Sequence, residues 1–213
     1  DRFEDICNLR QPFVSKKSIV EISNICNYKQ LDNIYSAFEV KIRNNTNFNS
    51  KTEDLYYPLK WRDAKELIHK DKEQKYICEN NHEFLEETEI LKDFQRNDAF
   101  LRPSMVSNCK YDILMGSEHS HTPFRYELSF RTFFYVLEGN VTIKLCPPKN
   151  SKYLYENSDY ELFEFRSEIN PWNISNEHQD NFDKVKMLEV NLPAGEYLFI
   201  PAYWWYSIRY NSS

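Results

Sequence analysis

Glycine is almost missing. Three residues in 213 are glycine, so no glycine-rich loop can cradle phosphates, and glycine is reserved for places where the backbone demands it. Cysteine is sparse and unordered: Cys7, Cys26, Cys78, Cys109 and Cys146 share no C-x-x-C spacing. That argues against a structural zinc site or a disulfide framework and for reduced thiols, in a reducing intracellular compartment or a virion. No apolar run approaches the roughly 20 residues of a membrane-spanning helix, and no signal-peptide pattern leads the chain. A basic surplus is also lacking. The 27 Lys and Arg stand against 33 Asp and Glu, a net charge of −6 with both signs mixed along the sequence, which gives nucleic acid no stripe to bind. No Ser/His/Asp arrangement stands out either.

What is present is apolar and aromatic. A content of 41% hydrophobic and 16% aromatic residues is enough to build the core of one ordinary domain. The richness in Asn, Lys, Ile, Tyr and Phe is the bias of an AT-rich genome, such as that of a protist or of a large DNA virus infecting one. Sequons at Asn44, Asn140, Asn173 and Asn211 are what chance gives in so Asn-rich a chain. Starting at Asp1 without Met and stopping at Ser213 after a strand-like stretch, the sequence reads as a segment of a longer protein.

Along the chain, "FEDICNL", "PFV" and "SIVEISNIC" read as helix, strand and helix within residues 1–35, with Pro12 where no ladder donor is missed. "SAFEVKI" at 36–42 sets Phe38, Val40 and Ile42 at period two, a half-buried strand, and "RNNTNFNSKTED" after it is a loop by composition. "WRDAKELIHK" and "HEFLEETEILKDF" place apolar residues three and four apart and predict two amphipathic helices, their charges lying on solvated faces. From residue 110 onward "KYDILMG", "FRYELSF", "TFFYVLEG", "NVTIKLCPP", "KMLEVNL" and "EYLFIPAYWWYSIRY" read as strands. Gly116, Gly139 and Gly195 each mark a turn in this half. The predicted architecture is mostly β, with N-terminal helices: a helical and strand layer over 1–106 on a double-sheet jelly roll over 107–213, together one domain.

Three segments, "GSEHSHTPFRYE", "FFYVLEGNVTIKLCPP" and "AGEYLFIPAYWWYSI", resemble in order and spacing the core of the JmjC and cupin-like 2-oxoglutarate oxygenases, especially the asparaginyl hydroxylase branch. The likeness is strong over 111–208, and "FEDICNLRQPFV" looks like that family's N-terminal segment. It implies a double-stranded β-helix. It also implies that a T-P-x-His-x-Asp strand and an I-P-x-x-W-W-His strand hold Fe(II) through a facial triad, with open positions for 2-oxoglutarate and oxygen. At those positions this chain has Arg125, Glu127 and Tyr206. A guanidinium keeps its proton and offers no lone pair, and a neutral phenol is a poor ligand. The resemblance further implies a lysine two residues past the hairpin glycine for the far carboxylate of 2-oxoglutarate. Here that residue is Val141, and Lys144 lies on the opposite face of the strand. Thr122 is kept.

The expected picture is a vestigial pocket of Thr122, Arg125, Glu127, Val141 and Tyr206, with no catalytic, cofactor-binding or metal-ligating residue and no cofactor. In it Arg125 pairs with Glu127 on the same strand face, and Tyr206 adds a contact. Other features have plainer readings. His119 and His121 form an H-x-H that a displaced metal site could use with Glu127, but two polar loop residues are the simpler view. His69, His82 and His178 read as surface residues. Of Trp204 and Trp205, alternation sends one into the barrel and the other under the N-terminal helices, which leaves Tyr203 and Tyr206 beside them. The acidic, aromatic tract at 153–173 is a candidate partner surface. Together these give a catalytically inactive structural or protein-binding module, with a protein partner or larger assembly such as a virion. The alternatives are an Fe(II)/2-oxoglutarate protein hydroxylase with non-standard ligands, or a cupin that binds a carboxylate or sugar through Arg125.

Overall fold

The computed structural model describes residues 2–16, 28–45, 56–161 and 163–211. The helix and strand expected first are α1, Arg2–Asn8, and β1, Phe13–Ser15. The second expected helix, over 18–26, lies outside the described residues. After it come α2, Tyr28–Tyr35, and β2, Glu39–Asn44, the period-two strand. None of the described helices is long and apolar enough to cross a membrane.

Two short strands not anticipated from sequence, β3 (Tyr57–Lys60) and β4 (Tyr76–Cys78), flank β2, and β5 (Met115–Gly116) joins the edge, giving an antiparallel sheet in the order β3-β2-β4-β5. Hence only the last two residues of "KYDILMG" form a strand, and they pair with β4 in this sheet and not with the jelly roll. One face of the sheet carries Val40, Ile42 and Cys78 into a core with α3, Trp61–Lys70. In α3, Trp61, Ala64 and Ile68 form the buried stripe that the spacing predicted. Trp61 stacks on Phe84 at 5.6 Å and donates its indole N–H to Asp32 at 3.0 Å. The second predicted amphipathic helix is broken into α4, His82–Glu87, and α5, Ile90–Gln95. Thr88 turns its hydroxyl back onto the Phe84 carbonyl at 2.6 Å and Glu89 takes a φ of 61°; a side chain that competes for the helical acceptor ends the ladder there. A third short helix, α6, spans Asp98–Leu101.

The remaining strands are β6 (Arg125–Tyr126), β7 (Arg131–Tyr135), β8 (Asn140–Cys146), β9 (Glu156–Asp159), β10 (Glu164–Ser167), β11 (Leu188–Pro193), β12 (Tyr197–Pro201) and β13 (Trp205–Tyr210). They form two open antiparallel sheets, β1-β12-β7 and β11-β8-β13-β6-β10-β9. The double-sheet jelly roll expected from the pattern is therefore present, and β1 is part of it. Between its sheets lie Val136, Ile143, Leu145, Leu198, Ile200, Trp204, Tyr206 and Ile208.

Alternation separates the tryptophans as expected, but the destination of Trp205 is different. Trp204 joins the inner cluster, whereas Trp205 packs with Phe124, Cys146, Leu154 and Ile169 and donates to Ser151 Oγ at 2.8 Å. Its cover is thus the tract after β8, not the N-terminal helices. The same finding adds a packing role for residues 153–173. β9 and β10 extend the sheet, and Leu154, Phe165 and Ile169 are buried against its outer face, leaving Tyr160 and Phe163 exposed. An apolar outer face needs covering, and this segment is what covers it.

Gly139 has φ +73° at the β7–β8 turn, as its "LEGNV" context requires. Gly116 is different: it sits in β5 without positive φ, and a Cβ there would lie 2.2 Å from the Tyr210 ring and 2.7 Å from Ser120 Oγ. It is a close-approach glycine where β5 meets the jelly roll. Gly116→Ala is expected to cost about 1–3 kcal/mol in urea unfolding; an unchanged midpoint would show that the two parts are not packed this closely.

Candidate functional site

The register of two strands brings the expected residues together. Tyr206 of β13 is the cross-strand partner of Arg125 in β6, and Glu127 follows two residues later on the same face. Arg125 Nε donates to the Tyr206 hydroxyl at 3.3 Å, and that hydroxyl donates to Glu127 Oε1 at 2.9 Å. The three positions therefore converge, as the resemblance implied.

The ionic partner of Arg125 is not the expected one. Glu127 is half-buried and engaged by the Tyr206 proton, while the guanidinium grips Glu79 with both ends, Nη1 to Oε1 at 3.2 Å and Nη2 to Oε2 at 2.7 Å. Glu79 follows β4 and comes from the other sheet. In that sheet Ile42 and Cys78 are register partners facing the helices, so period two turns Arg43, Ile77 and Glu79 to the opposite face, toward the jelly roll. Arg43 makes an ion pair with Glu79 Oε1 at 2.8 Å, and the Tyr56 hydroxyl donates to the same oxygen at 3.3 Å. Arg43 also reaches Glu164 at 3.6 Å, which pairs with Arg166 at 2.7 Å. Five alternating charges, Arg125, Glu79, Arg43, Glu164 and Arg166, thus lead from the barrel interior to β10.

The protonation states follow from this packing. Burial alone raises the Glu79 carboxyl, but Arg125 and then Arg43 outweigh it and hold the pKa at about 2. Burial lowers the Arg125 guanidinium, yet Glu79 and Tyr206 keep it well above its ordinary value. Tyr206 is pushed up, first by burial and then by Glu127, against the pull of Arg125, so its hydroxyl stays protonated.

A divalent cation does not fit this donor set. One of the three positions is a permanent cation clamped in place, one is a protonated phenol, and the third is a carboxylate already accepting the phenol's proton. Among the described residues no group of three or more His, Cys, Asp or Glu side chains is gathered for a metal, so the H-x-H pair is not joined with Glu127. His121 is half-buried between the Thr122 carbonyl (3.1 Å) and the Asn170 amide (3.2 Å), and His119 lies beside Glu118. The co-substrate positions are also committed elsewhere. Thr122 Oγ1 accepts the Ile208 N–H at 3.0 Å and donates to the Pro123 carbonyl at 3.3 Å, tying strand to strand. Val141 packs in the inner apolar cluster, while Lys144 points outward to the Pro171 carbonyl at 2.9 Å and the Trp172 ring. Phe134 fills the space over Tyr206 at 5.2 Å between rings. A cavity of about 470 Å³ opens between β2, β3 and α4, lined by Phe38, Val40, Lys41, Pro58, Asn81 and Phe84 among others.

Glu79 and Arg43 escaped the sequence reading. The available signal was charge on the alternate phase of each short strand, Glu39, Lys41 and Arg43 in "EVKIRN" and Glu79 in "YICEN", which reads as solvent-facing until a second sheet covers that face. Glu79→Gln is expected to cost about 3–5 kcal/mol by leaving two buried guanidinium groups short of charge, and Glu127→Gln about 1 kcal/mol. The Glu79 carboxyl titrates near 4.5 when free and at about 2 when folded. Its contribution is therefore present above pH 4.5 and lost as pH falls toward 2. Urea unfolding across that window is expected to show a smaller acid loss for Glu79→Gln than for the wild type; parallel curves contradict the assignment.

Comparison with known proteins agrees with this architecture. A family model described as a cupin-like domain matches residues 3–213. HSPB1-associated protein 1 of Homo sapiens is 26% identical over 127 residues, 59% of this chain and 26% of that protein. The Rattus norvegicus protein of the same name is 28% identical over 96 residues, 45% of this chain and 20% of its own length. JmjC domain-containing protein D of Dictyostelium discoideum is 28% identical over 102 residues, 48% of this chain and 22% of its own. The chain thus spans roughly a quarter or less of the length of these relatives. By the match along its whole length and by its antiparallel double sheet, the chain belongs to the cupin-like domain family of the JmjC-like superfamily.

Proposed function

We propose that this cupin-like domain is catalytically inactive and serves as a structural or protein-binding module. The observation that carries this reading is the bidentate Arg125–Glu79 pair. It sets a fixed cation at the position where the resemblance puts a ligand for a dication, and a second guanidinium, Arg43, lies behind the same carboxylate. A domain kept for its shape loses nothing by this exchange; an oxygenase loses its metal.

Two further features support a binding role. Relatives named for an association with HSPB1 are matched over about half of this chain. Leu128, Phe130, Tyr160, Phe163 and Tyr203 are exposed on the turn between β9 and β10 and on the segments that follow β6 and β12; aromatic surface of this kind is common in protein interfaces. A pocket for a carboxylate or sugar anchored by Arg125 has less support, because both Nη groups of that guanidinium are already spent on Glu79.

The test is metal analysis of purified protein together with a 2-oxoglutarate decarboxylation assay in added Fe(II). The expected result is no stoichiometric metal and no turnover above a Glu127→Ala control. Bound iron at one equivalent, with turnover that Glu127→Ala abolishes, would establish a hydroxylase with unusual ligands and end the inactive reading.

A further inference from the structure

We propose that Glu79, Glu127 and the Tyr206 hydroxyl form a guanidinium-selective cage that Arg125 fills from within the chain, so that truncating Arg125 opens a site for a free guanidinium and not for a divalent metal. The inference rests on the reading that this position is not a metal centre, and it adds what kind of cation the position does take.

Selectivity follows from geometry first. Both Nη groups of Arg125 meet the two oxygens of one carboxylate, and its Nε meets a phenol oxygen. All three nitrogens of a planar fork are therefore matched, from two sides. An ammonium ion is a point charge and cannot make that set of contacts at once. The Tyr206 ring also lies 5.7 Å from the Arg125 guanidinium carbon, within reach of a cation–π contact.

Charge argues the same way. With Arg125 in place, Glu79 and Glu127 contribute −2 and Arg43 and Arg125 contribute +2, a neutral set. Without Arg125 the sum is −1, which one monovalent cation neutralises and a dication overshoots. Arg43, 2.8 Å from the same Glu79 carboxylate, repels a doubly charged ion more strongly than a singly charged one. The Tyr206 proton, committed to Glu127, occupies an oxygen a metal would need.

The experiment is thermal unfolding of Arg125→Ala and wild type in millimolar methylguanidinium chloride, ammonium chloride or manganese chloride, with sodium chloride matching ionic strength. Arg125→Ala is expected to melt roughly 6–20 °C below wild type. It should recover most of that drop, saturably, in methylguanidinium only, while wild type does not move. Arg125→Lys should also stay below wild type, since charge without the fork is not enough. Failure of methylguanidinium to restore the melt, equal rescue by manganese, or a wild-type melt for Arg125→Lys overturns the cage. Should Arg125→Ala be recovered only unfolded, its refolding yield in methylguanidinium against manganese reads the same selectivity. Iron retained by the wild type sinks the inactive reading itself, whereas absent rescue with no iron sinks the cage alone.

Discussion

The joint between the two halves of this domain is a buried carboxylate held by two guanidinium groups. Glu79 leaves the four-stranded sheet on the face turned away from the helices, Arg43 stands beside it on the neighbouring strand, and Arg125 reaches it from the jelly roll. Taking three charges out of water is costly, and the cost is offset only when each finds its partner in good geometry. Here it does: the side chains of Arg43 and Glu79 are all but inaccessible, and that of Arg125 nearly so. A pair of this kind adds little net stability over an apolar filling but strongly penalises any arrangement that separates the sheets, so its main effect is to fix how they meet.

The packing around that joint is independent of any metal. The "IPAYWW" segment is retained because Trp204, Tyr206 and Ile208 fill the space between the two sheets while Trp205 anchors the cover on the outer face. None of this packing needs a metal. The Arg125 guanidinium links β6 to β13 through the Tyr206 hydroxyl, which passes the contact on to Glu127.

Much of the architecture was legible in the sequence, and the failures have physical causes. The stripe of α3 and the period-two strand β2 follow from one-sided burial, which writes itself into periodicity, whereas β8, β12 and β13 were legible from their β-branched and aromatic content, β12 being buried on both faces. The convergence of Arg125, Glu127 and Tyr206 was visible through motif order. Short strands such as β4 carry too few residues to show a period, and the break after α4 turns on one threonine hydroxyl. The ionic partner of Arg125 was the main miss. Glu127 is two residues away and on the same face, yet a carboxylate 46 positions away in sequence wins, because full burial makes its attraction stronger than that of a half-exposed neighbour. Sequence spacing measures which side a residue faces; it cannot say which second sheet will come to cover it.

The most direct test is a double-mutant cycle across this joint, pairing Glu79→Gln with Arg125→Met and measuring unfolding free energies. If the two side chains stabilise the domain through each other, the losses are strongly non-additive and the double variant is no less stable than the worse single one. Losses that simply add would mean that the two residues act independently, and the ion pair would not be what joins the sheets.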